Sequence, residues 1–447
     1  MTPRRFLCLL PVVAALVALQ PASAERAPAT NSSNMRLDYS LIDTTAGRTH
    51  SDIAFWGNIA VAGNYDGFRV FNTQTQQLIT TKLCRGPQND VSLWEHNGRL
   101  LLFLSNDTPQ TNGATTCSAL RSSDTSACGP ACFEGIRIFD LTDPANPVLI
   151  RSVYTDCGSH THTLIPDPAN SRLLLYISSY PGSTGPNCAS PFRKISIVQV
   201  PLDSPETASV LSQPQLTANV PGCHDITVFL AIHKAAASCA NEGQIWDITD
   251  PANPGTTNPV HVTASGVNYW HSAEFTWDGQ YVVWDDESFT GTCQSGGDGR
   301  IRVFRVSDAA LMSSFMIPRA QSSYCSVHNG NIIPVAGRYL LVAAWYYGGT
   351  SVVDFTNPAQ PQEIAYYDAD GAPTTGEVWS SYWYNGRIYA NDMRRGQDVF
   401  TLAVPYSPYA ATWPHLNAQT QENLLPPSIT STMPVARLTR GAGALAP

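Results

Sequence analysis

From residue 35 to residue 404 the chain alternates short apolar segments, rich in Val, Ile, Leu, Tyr and Trp, with Asp-Gly, Asn-Gly and Pro-containing turns. No stretch keeps a 3.6-residue apolar period long enough for a helix, so the pattern predicts strands throughout. Aligned on their first apolar strand, the segments fall into seven units, opening at Ser51, Asn89, Thr161, His224, His271, His328 and Val378. A second strand such as IAVAGN, LLLFLSND or YVVWDDES follows each opening, then a third and a fourth. This is the arithmetic of an all-β, seven-bladed β-propeller with four-stranded antiparallel blades. The last unit supplies three clear strands, and MRLDYSLID at 35–43 is expected to provide the fourth. That N-terminal strand would close the ring and hide an edge that invites aggregation.

The third strand of a unit carries its marker: IRIFDLTDPANP at 136–147, GQIWDITDPANP at 243–254 and TSVVDFTNPAQP at 350–361, with weaker copies at 68–75 and 301–308. Seen singly, Asp140, Asp247 and Asp354 look like catalytic carboxylates. Three copies at equivalent positions point to turn chemistry instead, in which Asp and Thr side chains cap backbone groups and Pro holds φ where no ladder donor is wanted.

These strand-turn motifs resemble the LVIVD repeat of exported bacterial β-propeller proteins, including the choice-of-anchor B type. HTHTLIPD, GCHDITVF and HSAEFTWDGQYVVWDDE fit the same family, and the likeness spans residues 40–402. The resemblance implies the propeller fold and export, and no established activity. The chain departs from the anchored members in showing no hydrophobic C-terminal anchor, which puts cell-surface attachment in doubt.

Residues 1–24 read as a secretory signal: Arg4 and Arg5 precede an apolar run, and Ala22-Ser23-Ala24 offers a cleavage site. Residues 25–34 then form a polar lead expected to be disordered, 35–404 the propeller and 405–447 a Pro-rich tail. No other apolar run approaches the ~18 residues of a membrane span. A secreted or periplasmic monomer, with no membrane span after signal removal, is expected. Losing Arg4 and Arg5 takes the formal charge of -9 two units further, to -11. Nucleic acid and anionic membranes demand a basic footprint, so neither is an expected partner. A small ligand or an envelope or extracellular protein is the expected partner.

Once Cys8 leaves with the signal, ten cysteines remain, an even count that favours disulfides in an exported chain. Cys128 and Cys132 sit at C-x3-C, but no second Cys/His pair follows at zinc-ligand spacing. Insertions at 108–133, 181–193 and 288–299 each follow a second strand and are expected on one face, where a rigid scaffold would position binding loops.

Six of the ten histidines, His50, His160, His162, His224, His271 and His328, fall at strand openings, beside Asp52, Asp90 and Asp225. First strands line the centre of a propeller, so these positions predict a ring. Imidazoles with nearby carboxylates suit a transition metal ion, Zn, Cu or Fe. His162, His224, Asp225, His271 and His328 are the expected metal set, and Asp52, Asp90, His160 and Trp379 the expected ligand-binding set. Without an ion the same residues would bridge blades by hydrogen bonds around water. The chain therefore reads as a ligand- or protein-binding module with a His/Asp-lined channel, or as a metalloenzyme, an oxidoreductase or hydrolase, using the His cluster. Asp285-Asp286-Glu287 reads as a solvated strand end, and the aromatics at 345–347 and 379–384 as blade packing.

Overall fold

The computed structural model describes residues 30–45, 48–111, 117, 132–179, 188–288, 299–319, 326–369 and 377–425. Among these the regular structure is strand, interrupted by single 3-10 turns such as Pro168–Asn170 and Leu230–Ile232. The strands form six sheets of four to nine strands. They resolve into seven antiparallel four-stranded units, whose opening strands are His50–Trp56, Val91–His96, Thr161–Asp167, Asp225–Phe229, Trp270–Phe275, Val327–Ile333 and Val378–Tyr384. The nine-stranded sheet is units 6 and 7, joined by one parallel bridge, Asn329 to Ser380, with the two-residue strand Thr30–Asn31 added at its edge.

Each opening strand touches the opening strand of the next unit, and that of unit 7 returns to unit 1. The apolar clusters follow the same succession. Val61, Phe68 and Val91 pack with Phe139 between units 1 and 2, and Ile53 and Phe55 pack with Tyr382 and Tyr389 between units 1 and 7. Every sheet face therefore buries its alternate residues against a neighbouring sheet, each large apolar side chain contributing about 1.5–3 kcal/mol. Met35–Ile42 pairs antiparallel with Gly396–Leu402 and is the fourth strand of unit 7, so the two ends of the chain complete one sheet.

The repeated marker is a turn. The Thr142, Thr249 and Thr356 amides donate to Asp140, Asp247 and Asp354 Oδ1 at 3.0, 2.9 and 2.8 Å. Three residues further on, Asp143, Asp250 and Asn357 accept from the Ala145, Ala252 and Ala359 amides. These bonds favour the ionised carboxylate: the Thr249 amide and hydroxyl hold Asp247 down at about 2.

Both flanks differ from the sequence expectation. The lead is ordered from Thr30, where Thr30–Asn31 adds to the strand Gln362–Asp368. The tail is built into the molecule as far as residue 425. It crosses the ends of the opening strands: Leu416 pairs with Phe55, and Thr420 pairs in parallel with Val228. The Asn417 side-chain amide brackets Leu93, accepting from its N–H at 2.7 Å and donating to its C=O at 2.9 Å. Gln421 does the same for Phe275, at 2.9 and 2.7 Å. An innermost strand leaves N–H and C=O groups without a ladder partner, and a primary amide supplies one donor and one acceptor at once. Polar residues thus bind this segment to the sheets, which is why an apolar-period reading passes over it.

Candidate functional site

At the other end of the opening strands, the strands enter with register shifts, between Trp270 and Ala273, Val327 and Gly330, and Val378 and Ser380. A bulge re-aims the side chain it carries. Here His271, His328 and Trp379 turn toward the central space, and five rings from five consecutive units form an arc. Centroid separations are 4.1 Å for His160–His224, 4.2 Å for His224–His271, 4.1 Å for His271–His328 and 4.7 Å for His328–Trp379. Disulfides Cys157–Cys188 and Cys223–Cys239 secure the approach to His160 and His224. A third, Cys84–Cys117, ties down the insertion of unit 2. Cys128, Cys293, Cys325 and most of the three insertions lie outside the described residues.

Carboxylates stand behind the arc. His271 Nδ1 is 3.0 Å from Asp285 Oδ2, and its Nε2 is 3.8 Å from Glu287 Oε2. His328 Nδ1 donates to the Trp379 carbonyl at 2.5 Å, which leaves Nε2 as the basic nitrogen, 3.8 Å from Glu287 Oε1. Two overlapping sets have ligand atoms within 4.8 Å of one another: His224, Asp225 and His271, and His271, Glu287 and His328. His271 Nε2 is buried and makes no hydrogen bond.

Electrostatics divide the imidazoles. Burial alone would lower His271, but Asp285, Glu287 and Asp225 outweigh it and raise the ring to about 10. Burial, joined by the neighbouring His271 charge, pushes His224 and His328 well below the ordinary value, so both stay neutral. Glu287 is raised by burial against the opposing pull of His271 and the Tyr346 hydroxyl, which donates to it at 2.7 Å.

A cavity of about 620 Å³ opens over the arc. His160, His224, Glu287, His328 and Trp379 reach it from the arc side. Tyr65, Tyr269, Tyr346 and Glu377 complete the walls that matter chemically.

Several expected site residues stand elsewhere. His162 is not in the arc; His160 takes that position. The His162 ring is buried between Ser92 Oγ at 2.6 Å from Nε2 and Ser105 Oγ at 2.8 Å from Nδ1, with Asp90 Oδ2 3.1 Å from Nδ1. Ser92-His162-Asp90 has the order of a hydrolase triad, but no described cavity reaches Ser92, and Ser105 shares Nδ1. The network ties units 2 and 3 together. Asp52 and Asp90 also lie in the wall: Asp52 accepts from Asn329 at 3.3 Å, and Asp90 from the His162 amide at 2.8 Å. Burial, with Asp90 close by, holds Asp52 well above the usual carboxylate range.

The acidic run at 285–287 is buried rather than solvated. Asp285 and Glu287 serve His271 and His328, and Asp286 pairs with Arg302 at 3.1 Å. The aromatics divide as well: Trp345 and Trp383 pack in the core, while Tyr346 and Trp379 face the cavity. Glu287, Asp285 and Tyr346 are thus residues of the candidate site that spacing passed over. The signal available for them was an acidic run placed where unit 5 carries its long insertion.

No protein-family model and no curated protein matches the chain. Among solved structures it is similar to the crystal structure of the computationally designed Ika8 protein, with a TM-score of 0.44 and 13% identity over 79% of this chain and 96% of that one. At that score the likeness has no bearing on function.

Proposed function

We propose that the protein is an exported seven-bladed β-propeller of the LVIVD-repeat kind, whose channel mouth holds one transition metal ion and presents it to a small ligand. The propeller reading is supported by the cyclic succession of opening strands and by the apolar clusters that join unit 7 to unit 1. The disulfides fit an oxidising compartment.

One observation carries the metal reading: two imidazole Nε2 atoms, each turned by a bond at its own Nδ1, converge on Glu287 beside an open cavity. With each Nε2 3.8 Å from a Glu287 oxygen, His271, Glu287 and His328 would hold a transition metal ion and supply it with two nitrogens and a carboxylate. Carboxylate and carbonyl bonds to Nδ1 are the outer partners that fix a ligating histidine. Two histidines and one carboxylate with open positions form the donor set of catalytic zinc and of non-haem iron(II). Open positions suit an ion that meets a ligand, in keeping with either a binding module or a metalloenzyme.

The test is metal analysis of protein purified from its native host without added ions. About one Zn, Fe or Cu per chain is expected, and none in a His271→Ala variant. Fully folded native protein that is free of metal and does not take up Zn(II) would overturn the reading, leaving a hydrogen-bonded ring around water.

A further inference from the structure

The cavity over the arc has walls of unusual composition. Tyr65 comes from unit 1, Tyr269 from the approach to unit 5, Tyr346 from unit 6 and Trp379 from unit 7, so aromatic faces meet across the mouth. Tyr65 and Trp379 meet edge to face at 6.3 Å, Tyr346 and Trp379 at 6.5 Å, and Tyr269 stands edge-on to His224 at 5.5 Å.

The acidic side chains lining the cavity are two glutamates. Glu287 faces the cavity from the arc, and Glu377 from the rim, where it accepts from Tyr347 and pairs with Arg394 at 3.1 Å. Among the described lining residues there is no Lys or Arg. A phosphate or sulfate would meet two glutamates and no lining Lys or Arg that could grip its several oxygens, and an aliphatic ligand would forgo the π faces.

We propose that the site takes a one- or two-ring phenol, stacked among Tyr65, Tyr346 and Trp379, with its oxygen directed at the ion held by His271, Glu287 and His328. This inference rests on the metal reading above. A volume of about 620 Å³ accommodates a ligand of that size, and the strand ends opposite the mouth are crossed by residues 413–425, so entry and exit share the His-lined side.

Mature protein stripped with chelator and reloaded with Co(II) gives separate readouts for the two claims, since the visible Co(II) band reports coordination. One equivalent of Co(II) is expected to bind. Titration with 4-methylphenol should then shift the band with saturation. Phenyl phosphate and 4-methylcyclohexanol should bind at least about tenfold more weakly, and Trp379→Leu should weaken 4-methylphenol by about tenfold while Co(II) stoichiometry stays at one. The retained stoichiometry shows that the variant is folded. Co(II) uptake without a response to 4-methylphenol, or an equal response to 4-methylcyclohexanol or phenyl phosphate, would overturn the phenol inference and leave the metal reading standing. Failure to bind Co(II) would overturn both.

Discussion

Where the opening strands begin, units 3 to 7 each contribute one ring to a continuous arc, backed by Asp285 and Glu287 and faced by a cavity. Where the same strands finish, residues 413–425 lie across them, and three side chains there bond strand backbone: Asn417 at Leu93, Thr420 at Leu164 and Gln421 at Phe275. One end satisfies its strands with amides and closes. The other leaves His271 Nε2 buried without a hydrogen bond, between His224 and His328, which line the cavity. Buried polar groups are normally paired, and an exception within a cluster of metal-ligand side chains is a candidate place for a ligand. The contrast separates an end held together by backbone hydrogen bonds from an end that carries the candidate site.

The largest test of that contrast removes a ligand. His271→Ala takes away the one residue common to both candidate sets. Native metal should fall from one equivalent to none by elemental analysis, with the fold retained by circular dichroism.

A second test compares histidines within the mouth. His50 is as buried as His271, yet its partners are the Asp43 carbonyl at 3.1 Å and the charges of Arg69 and Arg48. Burial first, then those arginines, push it down to about 4, where Asp285, Glu287 and Asp225 raise His271 to about 10. The unfolded chain binds a proton at His50 near pH 6.5, so below that pH it takes up more protons than the folded one. The stability tied to His50 is complete above about 6.5 and drains away as pH falls toward 4, by up to about 3 kcal/mol. Urea unfolding between pH 8 and 4 should show this loss, and His50→Gln should flatten it. An equally steep profile in the variant would assign the effect to other groups.

Asp285→Asn sharpens the mouth further. It keeps the shape beside His271 Nδ1 and removes the charge, and metal affinity should drop about 10- to 100-fold in competition with a chromophoric chelator. An unchanged affinity would mean that Asp285 does not orient a ligand. At the closed end, Asn417→Ala strands the Leu93 N–H and C=O and should cost about 2 kcal/mol in urea unfolding, with metal content unaltered. Loss of metal in that variant would break the separation of the two ends.

The all-β architecture was legible because short alternating segments and a thrice-repeated turn signal survive in sequence. The Asp140, Asp247 and Asp354 turns and the pairing of Met35–Ile42 with Gly396–Leu402 follow it closely. At the candidate site, His224, His271 and His328 stand side by side because all three sit at the openings of consecutive units. His160 and His162 were interchanged because the two lie two residues apart at the start of unit 3, and counting from an aligned strand does not say which of them joins the arc. Trp379 likewise stands in an arc position that the alignment assigned to Val378, since the opening strand of unit 7 carries a bulge.

By itself, then, the sequence determined the strand period, the units and their turns, and the concentration of histidines at unit openings. These are local matters, set by side-chain alternation and by hydrogen bonds spanning two or three residues. Tertiary structure alone decided that Glu287 serves His271 and His328, that His162 belongs to the wall, and that the polar segment 413–425 seals one end. Those choices depend on which backbone groups remain unpaired once seven units stand side by side, and on how far burial and neighbouring charges shift each group. Neither quantity exists until the strands meet.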